Sequence, residues 1–192
     1  MDINRLTHKV QEALAAAQSL AARNNNQQVD VEHLLAALLE QEDGLARSIL
    51  AKAEADAECL AKRVREELDR LPRVSGPAGS PDQIYITGRL NRLLAEAEEE
   101  AKRLKDDYVS VEHLLLAMTE DGGTAGRLLK ESALTKERLT RAIRDVRGNQ
   151  RVSSPDPETT YEALERYGRD LTKLAAQGKL DPVIGQIGRA HV

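Results

Sequence analysis

The sequence predicts an all-α fold, a tandem pseudo-repeat of two four-helix units followed by a linker and one further helix. Three observations lead there. VDVEHLLAAL at Val29–Leu38 returns as VSVEHLLLAM at Val109–Met118, identical at seven of ten positions and eighty residues on. At the same offset, Leu6, Val10, Ala13, Leu14, Ala17 and Ala21 fall opposite Ile86, Leu90, Leu93, Leu94, Ala97 and Ala101, an apolar stripe at helical spacing in both copies. After one deletion near Glu42-Asp43-Gly44 the offset becomes seventy-nine, and Ile49, Leu50, Leu60 and Val64 meet Leu128, Leu129, Leu139 and Ile143. Self-similarity on this scale marks duplication of one supersecondary unit.

The first helix is expected from about Asn4 to Arg23, ended by the polar run Asn24–Gln28. Asp30 then stands where an N-cap belongs, with Ser110 in the matching place, and each side chain can accept a first-turn N–H. The second helix follows over Val31–Gln41, the third after Gly44, and the fourth over about Asp56–Leu71. Prolines without donors and glycines of high entropy make Pro72–Pro81 irregular, so residues 72–85 are predicted to be the hinge between repeat one (1–71) and repeat two (86–147). Repeat two gives helices over Thr87–Lys105, Val111–Glu120, a stretch after Gly123, and Thr135–Arg147. On the long helix, Glu98 and Glu99 precede Lys102 and Arg103 at i,i+4, and this charge run is expected to be a solvated face. Residues 148–160 are polar and proline-bearing, a second linker, and a helix resumes at Tyr161–Lys179.

Composition narrows the function. The chain of 192 residues has no Trp, no Phe and four Tyr, so its core must be aliphatic and it lacks a surface on which bases stack. A net charge of −4 is wrong for a polyanion partner, and nucleic acid is excluded as an expectation. The lone Cys59 allows no internal disulfide and is expected to be a semi-buried small residue. Without a signal-like start or an eighteen-residue apolar run, the chain is expected to be cytoplasmic and off the membrane. His33 and His113 are equivalent, but neither has a second ligand at i+4 nor a Cys–His zinc spacing, so no metal site is expected. No triad-like grouping is visible, and no catalytic residue is assigned. Glu32 and Glu112 lie in the first turns of equivalent helices. They serve either as carboxylates compensating the helix dipole or as the rim of a peptide groove between the copies.

At the duplicated VEHLL motif and at YEALERYGRDLTKLAAQGKLDPVIG, residues 161–185, the chain resembles the N-terminal part of the Clp/Hsp100 AAA+ unfoldases, over residues 1–185. The second segment is similar to the start of the first ATPase module in the disaggregating branch. The resemblance implies a substrate-engaging N-terminal domain that binds unfolded or aggregated polypeptide and passes it to a homohexameric threading ring. It further implies ATP and Mg in the intact protein, cooperation with the DnaK system, and a monomeric state for this stretch alone. It also implies that Thr7, Asp106 and Glu112 engage substrate. Glu32 and Glu112 carry a further implication from the ClpC branch, where equivalent glutamates bind phosphorylated arginine. Thr7 could equally cap or staple the first helix, and Asp106 could be a plain loop carboxylate. The alternatives are a ClpC-like adaptor or phosphoarginine receptor, and a free-standing helical-repeat interaction module. The family pattern continues DPVIG with Arg, acidic residues and later a phosphate-binding loop, whereas Gly185 is followed here by Gln-Ile-Gly-Arg-Ala-His-Val. Those seven residues, 186–192, translate an insert base joined to a common sequencing adapter and are expected to be non-native. No G-x-x-x-x-G-K-[ST] occurs in the chain, so no ATPase machinery is expected within it.

Overall fold

The computed structural model describes residues 3–41, 44–73, 84–148, 150–157 and 161. The helix expected over Tyr161–Lys179, beyond its first residue, and the segment 186–192 lie outside the described residues. Repeat one opens with a 3-10 turn (Ile3–Arg5), followed by α1 (His8–Arg23), β1 (Gln28–Val29), α2 (Val31–Glu40), α3 (Leu45–Lys52) and α4 (Ala57–Asp69). Repeat two contains β2 (Tyr85–Ile86), α5 (Gly88–Leu104), α6 (Val111–Thr119), α7 (Thr124–Glu131) and α8 (Lys136–Arg147).

The duplicated motif forms the two central helices. VEHLLAALL and VEHLLLAMT are apolar on nearly every side, and a helix of that kind must sit inside. Every residue of Val31–Leu39 and Val111–Thr119 is buried. α1 and α5 carry their apolar stripe on one face only. The alanines at 13, 17 and 21, and at 97 and 101, are buried where these helices lie against α2 and α6. Four helices end in a left-handed residue: Asn25, Glu54, Lys105 and Ala133, with φ of 54°, 54°, 60° and 56°. Each is followed by a bond that closes the last turn, from the N–H of Asn26, Ala55, Asp106 and Leu134 to the carbonyl of Ala21, Leu50, Ala101 and Leu129, all at 2.9 Å. The pairs 25/105 and 54/133 keep the sequence offsets, so the turns were duplicated with the helices.

The copies associate by a pseudo-twofold. α3 packs on α8 as α7 packs on α4, and α3 on α6 as α7 on α2, which is the reciprocity of an isologous contact. Two backbone crossings tie them further. Leu6 bridges Val109, and β1 pairs in parallel with β2, Val29 opposite Ile86. These are one crossing made twice, since Leu6 matches Ile86 and Val29 matches Val109. Thr7 N–H donates to the Val109 carbonyl (3.0 Å) and Thr87 N–H to that of Val29 (3.1 Å).

Several expectations change. The first helix starts at His8 rather than Asn4, because Leu6 and Thr7 spend their backbone on the crossing. The predicted hinge 72–85 ends in an ordered strand, β2; its residues 74–83 lie outside the described ones. The predicted linker 148–160 is docked where described. Val152 and Tyr161 are buried, the Val152 carbonyl accepts from Asp107 (2.9 Å) and Tyr108 (3.3 Å), and that of Pro155 accepts from His8 N–H (2.9 Å). The charge run on α5 is not wholly solvated. Glu100 is buried and accepts from Lys136 (2.6 Å) and Arg103 (2.9 Å), Glu98 accepts from Arg5 (2.8 Å), and Lys102 pairs with Glu99 at i,i+3 (2.7 Å). Cys59 is exposed, since it occupies the solvent side of the first turn of α4.

Candidate functional site

Each central helix begins with the same device. The backbone N–H of Asp30 donates to His33 Nδ1 (3.2 Å), and that of Ser110 to His113 Nδ1 (2.9 Å). An Nδ1 that accepts a backbone N–H carries no proton, so both rings are neutral with the hydrogen on Nε2. His33 Nε2 then donates to Asn26 Oδ1 (3.1 Å) and His113 Nε2 to Asp106 Oδ2 (3.0 Å), and Asn26 and Asp106 are repeat equivalents. The chain returning after the fourth helix satisfies the rest of each group. Pro72 lacks an N–H, so its carbonyl takes the Asn26 amide (3.0 Å), whereas Val152 gives its N–H to Asp106 Oδ1 (2.9 Å). Amide and carboxylate thus match what each returning segment offers.

Beside each histidine lies one of the paired glutamates, and each already holds an arginine. Arg89, from the first turn of α5, donates to Glu32 and places its Nε 3.2 Å from Asp30 and 3.5 Å from Asp121. Since Glu32 belongs to repeat one, this pair clasps the two copies. Arg147, at the end of α8, donates to Glu112 (3.0 Å) and Asp106 (2.7 Å). Burial alone would push the Asp106 carboxyl up, but hydrogen bonds from His113, Arg147 and the Val152 N–H hold it below the usual carboxylate range. Burial works against both guanidinium ions too, yet their carboxylate partners keep them above their ordinary values. At His33 burial wins over Glu32 and Asp30 and lowers the imidazole.

All four sequence-predicted site residues are covered: Thr7 is 0 % exposed, Glu112 1 %, Glu32 4 % and Asp106 5 %. The structure brings Asp106 and Glu112 together on Arg147, while Glu32 sits in the separate Arg89 cluster. Thr7 stands at the N-cap of α1, where its backbone makes the Val109 crossing. The glutamates therefore do not rim an open groove. Each has one oxygen under an arginine, and its other oxygen, Glu32 Oε1 or Glu112 Oε2, is buried without a hydrogen-bond partner among the described residues. The apolar seam between the copies is shut as well, with Leu34, Leu35, Leu38, Leu114 and Leu115 fully buried. Asp106, Glu112 and His113 bring ligand atoms within 4.8 Å of one another, but the set does not fit a metal. His113 has no free lone pair, and Arg147 already supplies the cation. Sequence reasoning missed Arg89 and Arg147 because they break the repeat: the positions equivalent to them hold Lys9 and Leu68.

The large apolar side chains exposed among the described residues are Ile3 (67 %), Tyr85 (68 %) and Ile86 (41 %), and all three stand on or next to the two backbone crossings. An opening of 440 Å³ between α1 and α2 is lined by Ala16, Leu20 and Ala37 together with Ser19, Arg23, Glu40 and Gln41. No described helix is long and apolar enough to cross a membrane.

The family model of the Clp repeat (R) N-terminal domain matches residues 5–132. The chain is 49 % identical over 186 residues to the chaperone protein ClpB of Bacillus anthracis, and 47 % identical over 188 residues to that of Nitratidesulfovibrio vulgaris. Each alignment covers 97 % of this chain and 22 % of the relative, so the chain spans about a fifth of the length of these curated proteins. Among solved structures, the Hsp104 N-terminal domain from Candida albicans superposes with a TM-score of 0.69 at 24 % identity, covering 80 % of this chain and 98 % of that one. The N-terminal domain of the ClpV1 ATPase from E. coli gives 0.61 at 26 % identity, covering 72 % and 83 %.

Proposed function

The chain belongs to the Clp repeat N-terminal domain family, and from that premise we propose that it captures unfolded or aggregated polypeptide and presents it to an ATP-driven hexameric threading ring. The observation that carries this reading is the placing of Ile3, Tyr85 and Ile86 at the crossings. A client with exposed aliphatic and aromatic residues gains by covering these side chains, each contact being worth little alone. Weak, sequence-tolerant capture suits a domain that must release its cargo. Thr7, Asp106, Glu112 and Glu32 act in this reading by fixing the geometry on which the apolar side chains stand. Reception of a client's arginyl or phosphoarginyl group at Glu32 or Glu112 would first require displacement of Arg89 or Arg147. The chain contains no Walker A loop, so ATP and magnesium would be held by residues outside it, as would the hexamer contacts and any link to the DnaK system.

The test is a triple variant, Ile3→Ser, Tyr85→Ser and Ile86→Ser, whose positions are too exposed to hold the core. Binding of reduced, carboxymethylated α-lactalbumin, followed by fluorescence anisotropy, should weaken by about tenfold, the loss expected from removing roughly 1.4 kcal/mol of apolar contact. An unchanged affinity in a folded variant would sink the assignment of client binding to the crossings.

A further inference from the structure

A recess of 260 Å³ opens where the end of α5, α6, α8 and the returning residues Gly148, Gln150 and Arg151 meet. Leu104, Leu116 and Ile143 form its apolar floor beside Thr140 and Gln150, Lys105, Arg144, Arg147 and Arg151 line it, and no acidic residue does; the Arg151 guanidinium donates to the Lys105 carbonyl. Arg147 is neutralised by Asp106 and Glu112. Lys105 and Arg144 are exposed, and neither side chain has a partner among the described residues.

The duplication offers a control. The positions of repeat one equivalent to Lys105, Leu116, Arg144 and Arg147 hold Asn25, Ala36, Arg65 and Leu68. There, Leu68 is buried and Arg65 is paired with Glu40 at 3.7 Å. In repeat two the corresponding arginine, Arg144, has no partner among the described residues. Lys105 stands at φ 60°. Asn is among the few residues that tolerate this conformation, whereas a lysine is held there at a backbone cost of roughly 1 kcal/mol. A cation is therefore kept at the mouth of the recess, at a backbone cost that Asn25 avoids in the equivalent turn of repeat one.

We propose that this recess docks a polypeptide segment carrying an Asp or Glu side chain beside an aliphatic one. The aliphatic group packs on the half-buried Leu104, above the buried Leu116 and Ile143, and the carboxylate bridges Lys105 and Arg144. The floor would be left bare by a simple anion, and the lining has no aromatic face for a nucleobase. The charge preference is opposite to that of the acidic chain as a whole, so the site selects acid-flanked apolar stretches that the crossings alone do not distinguish.

The experiment compares a short fluorescent peptide of alternating Glu and Leu with its Gln–Leu counterpart on the full chain. The Glu–Leu peptide should bind at least about tenfold more tightly, with an affinity that falls as ionic strength rises. The double variant Lys105→Asn, Arg144→Gln should lose that preference. Lys105→Asn alone should melt no lower than the parent chain, because Asn suits the backbone there, and this separates lost binding from lost folding. The triple serine variant at the crossings should keep the preference. Equal binding of the two peptides, an unaltered preference in the double variant, or no binding to the intact chain would each overturn the proposal.

Discussion

Nδ1 of His33 accepts a backbone N–H, so a proton arriving there breaks the start of α2 and charges a buried ring. Its folded pKa lies below the ordinary value of about 6.5, and between those two values the unfolded chain binds more protons. Stability is therefore complete above about pH 6.5 and falls as pH drops through that window. Asp106 adds a second, more acidic loss. Its contribution is present above about pH 3.9, the ordinary Asp value, and disappears as pH falls through its lower folded pKa. Asn26→Asp would give His33 the carboxylate that His113 already has, and should reduce the first slope. Urea midpoints measured between neutral pH and pH 5 check this, and an identical slope would count against the neutral-ring assignment. Arg147→Leu copies Leu68 of repeat one yet leaves Asp106 and Glu112 buried together. It should cost about 3 kcal/mol in chemical denaturation, where a cost near zero would mean the carboxylates find water or protons easily. The glutamates were legible in the sequence because the offset pairs them. Their arginines were not, since Arg89 and Arg147 come from positions where the copies differ.

At the level of elements, helical periodicity located the eight α-helices found among the described residues, with boundary errors wherever apolar spacing ran past a helix end. Leu6 fits the stripe of α1 but serves as a strand residue, because a bridge to Val109 needs the same apolar side chain that a helix would bury. The two-residue strands β1 and β2 are too short to leave an alternating pattern. The left-handed turns were invisible for a different reason, since Glu54 and Ala133 carry no sign of the conformation they adopt. That mismatch is a handle on stability. Ala133→Gly relieves a left-handed Cβ cost of roughly 1–2 kcal/mol against a smaller glycine entropy cost, for a net gain of about 0.5–1 kcal/mol. Thermal melting should show a higher midpoint, and a lower one would mean the turn is not strained.

For the molecule as a whole, the fold class and duplication could be read directly, because a repeat of amphipathic helices allows few architectures. Closure of the seam could not. Whether two apolar faces meet fully or leave a groove depends on side-chain volumes across α3, α4, α7 and α8, which spacing does not encode. Nor did composition reveal that residues 150–157 return to the body, since a polar proline-bearing stretch reads as a spacer until Val152 is seen buried. That return brings Pro155 and Asp156 against His8, at 2.9 Å to its backbone and 2.8 Å to its ring. The path of the chain through the domain is therefore nearly a closed ring. A circular permutant that joins residue 157 to residue 3 through a few glycines, with new ends opened within 74–83, reverses the order of the repeats and leaves both crossings in place. It should fold cooperatively with an unaltered helical spectrum, so that which copy is synthesised first is a matter of history and not of structure.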